Sequence, residues 1–64
     1  MENSFELGRA ASDRQDYDQA FAIWLPLAEA GDAAAQAELG CLYQVGLGTE
    51  YDIAEAEKWL LKAA

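Results

Sequence analysis

Residues 32–48 read DAAAQAELGCLYQVGLG, and the order of these residues sets the fold. The stretch opens on Asp32, a residue type that starts helices by accepting hydrogen bonds from unpaired backbone N–H groups. Helix-favouring residues follow, and then Gly46 and Gly48 come within three positions of each other. Glycine adopts the backbone conformations that end a helix, so the stretch predicts one helix over about 33–45, followed by a turn.

Three more segments on either side have the same layout. They predict helices over about 4–14, over about 17–30 and from about 53 onward, each opened by a capping box. The residue pairs that form these boxes are Asn3 with Glu6, Asp16 with Gln19, and Asp52 with Glu55. Gly31 is expected in the left-handed position that ends the second helix. Pro26 lies inside that helix and predicts a kink there, not a break.

The composition favours helices throughout. Fourteen alanines stand against four β-branched residues, and β-branched residues are the ones that strands prefer. No linker or low-complexity stretch divides the chain. The sequence therefore predicts an all-α fold in a single domain over residues 1–64.

The net charge limits the classes of partner. Four Lys and Arg residues against 12 Asp and Glu residues give −8 at pH 7. Such a surface repels phosphate backbones and anionic headgroups, so we expect neither nucleic acid nor a membrane as a partner. The opening residues, MENSFE, carry no basic and apolar signal segment, which favours a cytoplasmic location.

Catalytic and metal-binding patterns are missing from the sequence. The chain has no histidine and one cysteine, and Ser4 and Ser12 have no general base near them in the sequence. Cys41 lacks a nearby cation that would activate it, so we expect a quiet, partly exposed thiol. We therefore expect no enzyme activity and no cofactor.

The sequence contains an internal repeat. Leu7-Gly8 recurs as Leu39-Gly40, 32 residues later (39 − 7), and Trp24-Leu25 recurs as Trp59-Leu60, 35 residues later (59 − 24). The additional three residues are assigned to the turn around Gly46-Leu47-Gly48. Glycine inside a helix costs about 1 kcal/mol relative to alanine, so Gly8 and Gly40 indicate helices that pass very close to a neighbour. The expected arrangement is two stacked antiparallel helix hairpins, with both tryptophans buried beside the glycines.

Residues 32–64 carry a more specific pattern. Ala-Gln precedes Leu-Gly-x-x-Tyr, Gly-x-Gly follows in the turn, and Ala-x-x-Trp precedes Lys-Ala-Ala. This half closely resembles the Sel-1-like repeat of the tetratricopeptide-like superfamily. Residues 3–31 resemble the plainer tetratricopeptide hairpin, with Ala11 at the aromatic position. We therefore expect repeat one over about 3–31 and repeat two over about 32–64.

The resemblance implies a right-handed stack whose first helices line a concave surface that binds proteins or peptides, as in an adaptor. If Leu7 and Leu39 point inward, the positions two before, two after and five after each leucine share the concave face. Those residues are Phe5, Arg9, Ser12, Ala37, Cys41 and Gln44. Phe5 has a second interpretation, as a cover for the open end of the stack.

Two alternative functions remain open at this point. The chain could self-assemble, or be a piece of a longer solenoid, because nothing in the sequence covers the outer side of the last helix. Its apolar residues on that helix are Ile53, Ala56, Trp59, Leu60 and Ala63. The small size and the charge of −8 also suit an acidic inhibitor or immunity-type partner of a basic protein.

Overall fold

The computed structural model describes residues 4–64, and these residues form four α-helices joined by short turns. The helices are α1 (Ser4–Asp13), α2 (Tyr17–Glu29), α3 (Ala33–Val45) and α4 (Ile53–Ala63). Each helix packs against the next one in the chain, so α1 and α2 form a first hairpin and α3 and α4 a second. The predicted all-α fold with four helices is confirmed.

Aspartates open three of the helices, as the sequence predicts. Oδ1 of Asp16 accepts from Gln19 N at 3.4 Å, and Oδ1 of Asp52 accepts from Glu55 N at 3.1 Å. Asp32 accepts from two backbone amides of α3 at 3.0 and 3.2 Å. Such caps satisfy N–H groups that have no partner inside the helix. The predicted box between Asn3 and Glu6 involves a residue outside the described range.

Glycines follow α2 and α3 in left-handed conformations. Gly31 has φ of 102° and Gly46 has φ of 81°, values that residues with a Cβ rarely adopt. The amide of Gly46 donates to Leu42 O at 2.7 Å, which closes α3. Helix α2 continues through Pro26 to Glu29 without a break, and a kink at Pro26 stays a prediction.

The core combines a few large side chains with many alanines. Trp24 and Trp59 are both buried, with 1% and 6% of their surface exposed, as the sequence predicts. The remaining buried apolar residues are Ala11, Ala20, Ala28, Ala35, Leu39, Leu42 and Ala56. Alanine at so many buried positions lets the helices approach closely, and the large rings fill the space that remains.

The two interior glycines lie against helices, but only one of them lies beside a tryptophan. A Cβ built on Gly8 would overlap the indole of Trp24, and one built on Gly40 would lie 2.6 Å from Leu60 Cγ. The prediction of close helix contact at both glycines is confirmed. The prediction that Trp59 fills the space beside Gly40 is wrong, because Leu60 lies there.

The different lengths of the turns in the two hairpins explain why Leu60, and not Trp59, lies beside Gly40. Helix α1 ends at residue 13 and α3 at residue 45, an offset of 32, whereas the caps Asp16 and Asp52 differ by 36. The turn of the second hairpin is therefore longer by four residues, not by the predicted three. With an offset of 36, Trp24 corresponds to Leu60. Aligning the identical pairs Trp24-Leu25 and Trp59-Leu60 gives an offset of 35, which is one residue out of register.

The longer turn lies against the first hairpin. Gly48 has φ of 73°, and a Cβ there would overlap the carbonyl oxygen of Tyr17, the first residue of α2. The backbone can approach so closely only because residue 48 has no side chain. The turn between α3 and α4 thus adds a second contact between the hairpins, beside the packing of α2 on α3.

None of the four helices in residues 4–64 is both long and apolar enough to span a membrane.

Candidate functional site

The six residues predicted to share a face lie on the first helix of each hairpin. Phe5, Arg9 and Ser12 are on α1, and Ala37, Cys41 and Gln44 are on α3. With the offset of 32 between α1 and α3, they form three equivalent pairs: 5 with 37, 9 with 41, and 12 with 44. Arg9, Cys41 and Gln44 are exposed, while Phe5, Ser12 and Ala37 are half-buried. The thiol of Cys41 is free and exposed, and its low reactivity stays a prediction.

Exposure matches at two of the three equivalent pairs of this face, and in the third Gln44 is exposed where Ser12 is half-buried. Positions 5 and 37 are both half-buried, and positions 9 and 41 are both exposed. Packing of the second hairpin on the first therefore leaves these positions of α3 as accessible as those of α1. We call the six residues the α1/α3 face.

Leu7 does not point inward, which corrects the assumption from which the face was counted. Leu7 is 44% exposed, whereas its equivalent Leu39 is fully buried. The difference arises because α2 packs against α3, while within residues 4–64 no helix precedes α1. Gly8 and Ala11 are the buried residues of α1.

Phe5 is tied to the interior by two contacts with Trp24. Its ring stacks on the indole, with ring centroids 5.6 Å apart and planes inclined by 29°. Its backbone oxygen accepts a hydrogen bond from Trp24 Nε1 at 3.1 Å. These contacts show that Phe5 packs on the core, and its two predicted roles, as a cover for the open end of the stack and in binding a partner, stay predictions.

Trp59 differs from Trp24 in its hydrogen bonding. Its Nε1 is buried and has no hydrogen-bond partner among residues 4–64. The shift of one residue in register places its indole away from the position of Trp24, which has a backbone acceptor. The ammonium groups of Lys62 and Lys58 lie 4.9 and 5.7 Å from the ring centroid, a distance typical of cation–π contacts.

The apolar set predicted for the outer side of α4 is partly wrong. Ala56 and Trp59 are buried against the rest of the chain, and Leu60 lies against Gly40. The large apolar residues that α4 exposes are Ile53 and Leu61. The set was taken from apolar spacing alone, and this spacing does not show whether an apolar side of α4 faces the chain's own core or the solvent.

Gln36, the glutamine of the Ala-Gln element in the repeat pattern, links the two hairpins, a role that the pattern did not predict. It is the one buried polar side chain in the described part of the chain, and its Nε2 donates to Ala28 O at 3.0 Å. A buried amide that spans two helices fixes their relative position, because leaving it unpaired is costly. The sequence feature that could have indicated this role is a glutamine within a run of alanines, three residues before Leu39, which is buried.

Tyr43 makes a further contact between the hairpins. Its ring meets Phe21 of α2 edge to face, with centroids 5.6 Å apart. Burial raises the pKa of the Tyr43 hydroxyl, and the carboxylates of Glu55 and Asp52 raise it further. Lys58 and a hydrogen bond with Thr49 act in the opposite direction.

The chain carries 12 acidic and four basic side chains. Among residues 4–64 one ion pair forms, between Lys58 and Glu55 at 3.2 Å. In the same range there is no enclosed pocket and no group of side chains suited to hold a metal ion. The α1/α3 face is an open surface whose polar groups, from Arg9 and Gln44, can pair with groups on another macromolecule.

Comparison with protein families gave one result. The model of the Sel1 repeat matches twice, over residues 5–32 and over residues 33–64. The first match includes the half with Ala11 and the shorter turn. Neither the curated proteins nor the solved structures gave a match.

Proposed function

The chain belongs to the Sel1 repeat family, whose repeats are generally protein–protein interaction modules, and on this basis we propose that its α1/α3 face binds a protein or peptide. In this role the protein acts as an adaptor. The family is a non-enzymatic interaction repeat, which supports a role without catalysis.

The accessibility of the α1/α3 face carries the proposal. Arg9 and Cys41 occupy equivalent positions and are both exposed, although the glycines before them are buried. A surface that stays open when hairpins stack can be continuous across both of them, as binding a peptide along the stack requires. The guanidinium of Arg9 offers five donors, and the amide of Gln44 offers both donors and an acceptor.

The test compares two double variants in partner capture. Proteins retained by the immobilised wild-type chain from a lysate of the source organism are identified, purified and titrated against each variant. Arg9→Ala with Gln44→Ala removes the polar groups of the α1/α3 face. Arg14→Ala with Gln19→Ala removes the same side-chain types from exposed positions outside it.

We expect the Arg9/Gln44 variant to bind at least about tenfold more weakly, since a lost hydrogen bond to a charged group is worth about 1.5–3 kcal/mol. The control variant should bind like wild type, and both should keep the wild-type circular dichroism and melting temperature. Equal affinity of the two variants would place the partner elsewhere on the molecule.

The excess of acidic groups favours a second candidate, an acidic inhibitor or immunity-type partner of a basic protein. The chain has 12 acidic and four basic side chains, and exposed carboxylates such as Asp18, Glu29 and Glu57 have no ion-pair partner in residues 4–64. Charge of one sign accelerates association with an oppositely charged protein, and salt screens this effect. The association rate with the identified partner should therefore fall steeply as salt is raised, and a rate that does not change would exclude this candidate.

A further inference from the structure

Equivalent residues on α1 and α3 differ most in solvent exposure on the side of α3 that the first hairpin covers. On α3 the buried residues Gln36, Leu39 and Leu42 are spaced by three, and the bond from Gln36 to Ala28 shows that this side faces α2. The residues 32 positions earlier, Ser4, Leu7 and Ala10, are all exposed. The side of α1 that includes Leu7 is therefore equivalent to the side of α3 that packs on α2.

The side of α2 that packs on α3 also has an exposed equivalent, on α4. In α2, Ala28 is buried and Leu25 is half-buried against the core. The residues 36 positions later are Ala64, which is exposed, and Leu61, which is 76% exposed. Tyr17 and Ile53 show the same relation, since Tyr17 is half-buried and Ile53 is exposed.

We propose that copies of this chain associate head to tail, with α4 of one copy packing against α1 of the next. The two exposed sides are complementary because together they repeat the contact that α2 and α3 make within the chain. In this arrangement Leu7 of one copy takes the place of Leu39, and Leu61 of its neighbour takes the place of Leu25. This inference does not depend on binding at the α1/α3 face.

The proposed contact joins two different surfaces, one on α4 and one on α1, and this determines the kind of assembly that it builds. Two different surfaces meet, so an open assembly keeps one unused α1 surface at one end and one unused α4 surface at the other. Contacts of this type build open chains unless a rotation closes them into a ring. The expected product is a series of oligomers that grows with concentration, in contrast to a closed dimer.

The contact between copies should be weaker than the one inside the chain. Ser4 takes the place of Gln36, and its shorter side chain does not repeat the hydrogen bond that Gln36 donates to Ala28 O. Ala11 and Glu57 replace Tyr43 and Phe21, so the edge-to-face ring contact is lost. Each copy also carries a charge of −8, so association should strengthen when salt screens the repulsion.

The test is sedimentation velocity of the 64-residue chain from about 10 μM to about 1 mM, at low and at high salt. The variants are Leu7→Glu, Leu61→Glu and, as a control, Val45→Glu. Val45 is also exposed, at 64%, but it lies on α3, where the first hairpin already packs without covering it. All three changes fall at exposed positions, and circular dichroism verifies that the variants fold.

We expect wild type and Val45→Glu to form oligomers that grow with concentration, while Leu7→Glu and Leu61→Glu, alone, associate at least about tenfold more weakly. An equimolar mixture of Leu7→Glu and Leu61→Glu should form a dimer and nothing larger. In that dimer the intact α4 of the first variant packs against the intact α1 of the second.

Two outcomes would overturn the proposal. A wild-type chain that stays monomeric at about 1 mM in high salt would show that a second copy does not cover these surfaces. Association that is lost in Leu61→Glu but kept in Leu7→Glu would indicate a symmetric contact between two α4 helices.

Discussion

The indole of Trp24 occupies the space that a side chain at Gly8 would need. A Cβ at residue 8 would lie 2.6 Å from Trp24 Cε2, which is far inside van der Waals contact. The rigid ring is buried and held by its hydrogen bond to the Phe5 carbonyl, so it cannot move aside at low cost. Helix propensity and packing therefore have opposite effects at residue 8.

Replacing Gly8 with alanine should destabilise the protein. Helix propensity alone would stabilise it by about 1 kcal/mol, but overpacking a rigid contact costs about 1–3 kcal/mol or more. We expect a net loss in the free energy of unfolding, measured by urea denaturation. Ala10→Gly, at an exposed position of the same helix, isolates the propensity term and should cost about 1 kcal/mol. A Gly8→Ala protein more stable than wild type would contradict the packing described.

The contact between Gly40 and Leu60 predicts a coupled pair of substitutions. Gly40→Ala should destabilise the chain, because the new Cβ meets Leu60 Cγ at 2.6 Å and Ala56 O at 3.2 Å. Adding Leu60→Ala should recover part of the loss, with an interaction energy of about 0.5–3 kcal/mol in a double-mutant cycle. If the two substitutions had strictly additive effects in urea denaturation, a residue other than Leu60 would lie against Gly40. The 35-residue offset, which places Trp59 there, would then be the correct one.

The buried amide of Gln36 should contribute more to stability than an exposed one. Gln36→Ala removes the hydrogen bond to Ala28 O and opens a space between α2 and α3, so we expect a loss of about 1–3 kcal/mol. Gln44→Ala is the matched control, since Gln44 lies on the same helix and is exposed. Thermal melting followed by circular dichroism measures both. Similar melting temperatures for the two variants would show that Gln36 does not hold the hairpins together.

Stability should fall in alkaline solution partly because of Tyr43. Its pKa in the folded protein is raised above the ordinary value of 10.0, first by burial and then by Glu55 and Asp52. The unfolded chain therefore loses this proton at lower pH than the folded one, and the stabilisation present below pH 10.0 is lost as pH rises through the folded pKa. Tyr43→Phe should show a smaller drop in melting temperature above pH 10.0 than wild type does. Parallel curves for the two proteins would contradict the raised pKa.

Local signals in the sequence were sufficient for the helices. Asp16, Asp32 and Asp52 cap helices through contacts within three residues, and Gly46 ends α3 through its own backbone conformation. None of these interactions needs a distant partner, so the sequence alone predicts them. Burial of both tryptophans follows from their size and their apolar neighbours.

The properties that the sequence missed depend on distant partners. The leucine of the same Leu-Gly pair is buried at residue 39 and exposed at residue 7, because within residues 4–64 a helix packs on that side of α3 and none packs on that side of α1. The register of α4 depends on the length of the turn after Gly46. Aligning the two identical Trp-Leu pairs gives the wrong length for this turn. Membership of the α1/α3 face was counted from leucines whose environments differ, so its exposure became known only from the structure.

The unequal surroundings of the two indoles give the molecule two separate internal probes. The N–H of Trp24 donates to a backbone oxygen in the first hairpin, and that of Trp59 is buried in the second with no acceptor among the described residues. Their proton resonances should therefore be resolved from each other, so that the loosening of each half during heating can be followed in the unlabelled protein.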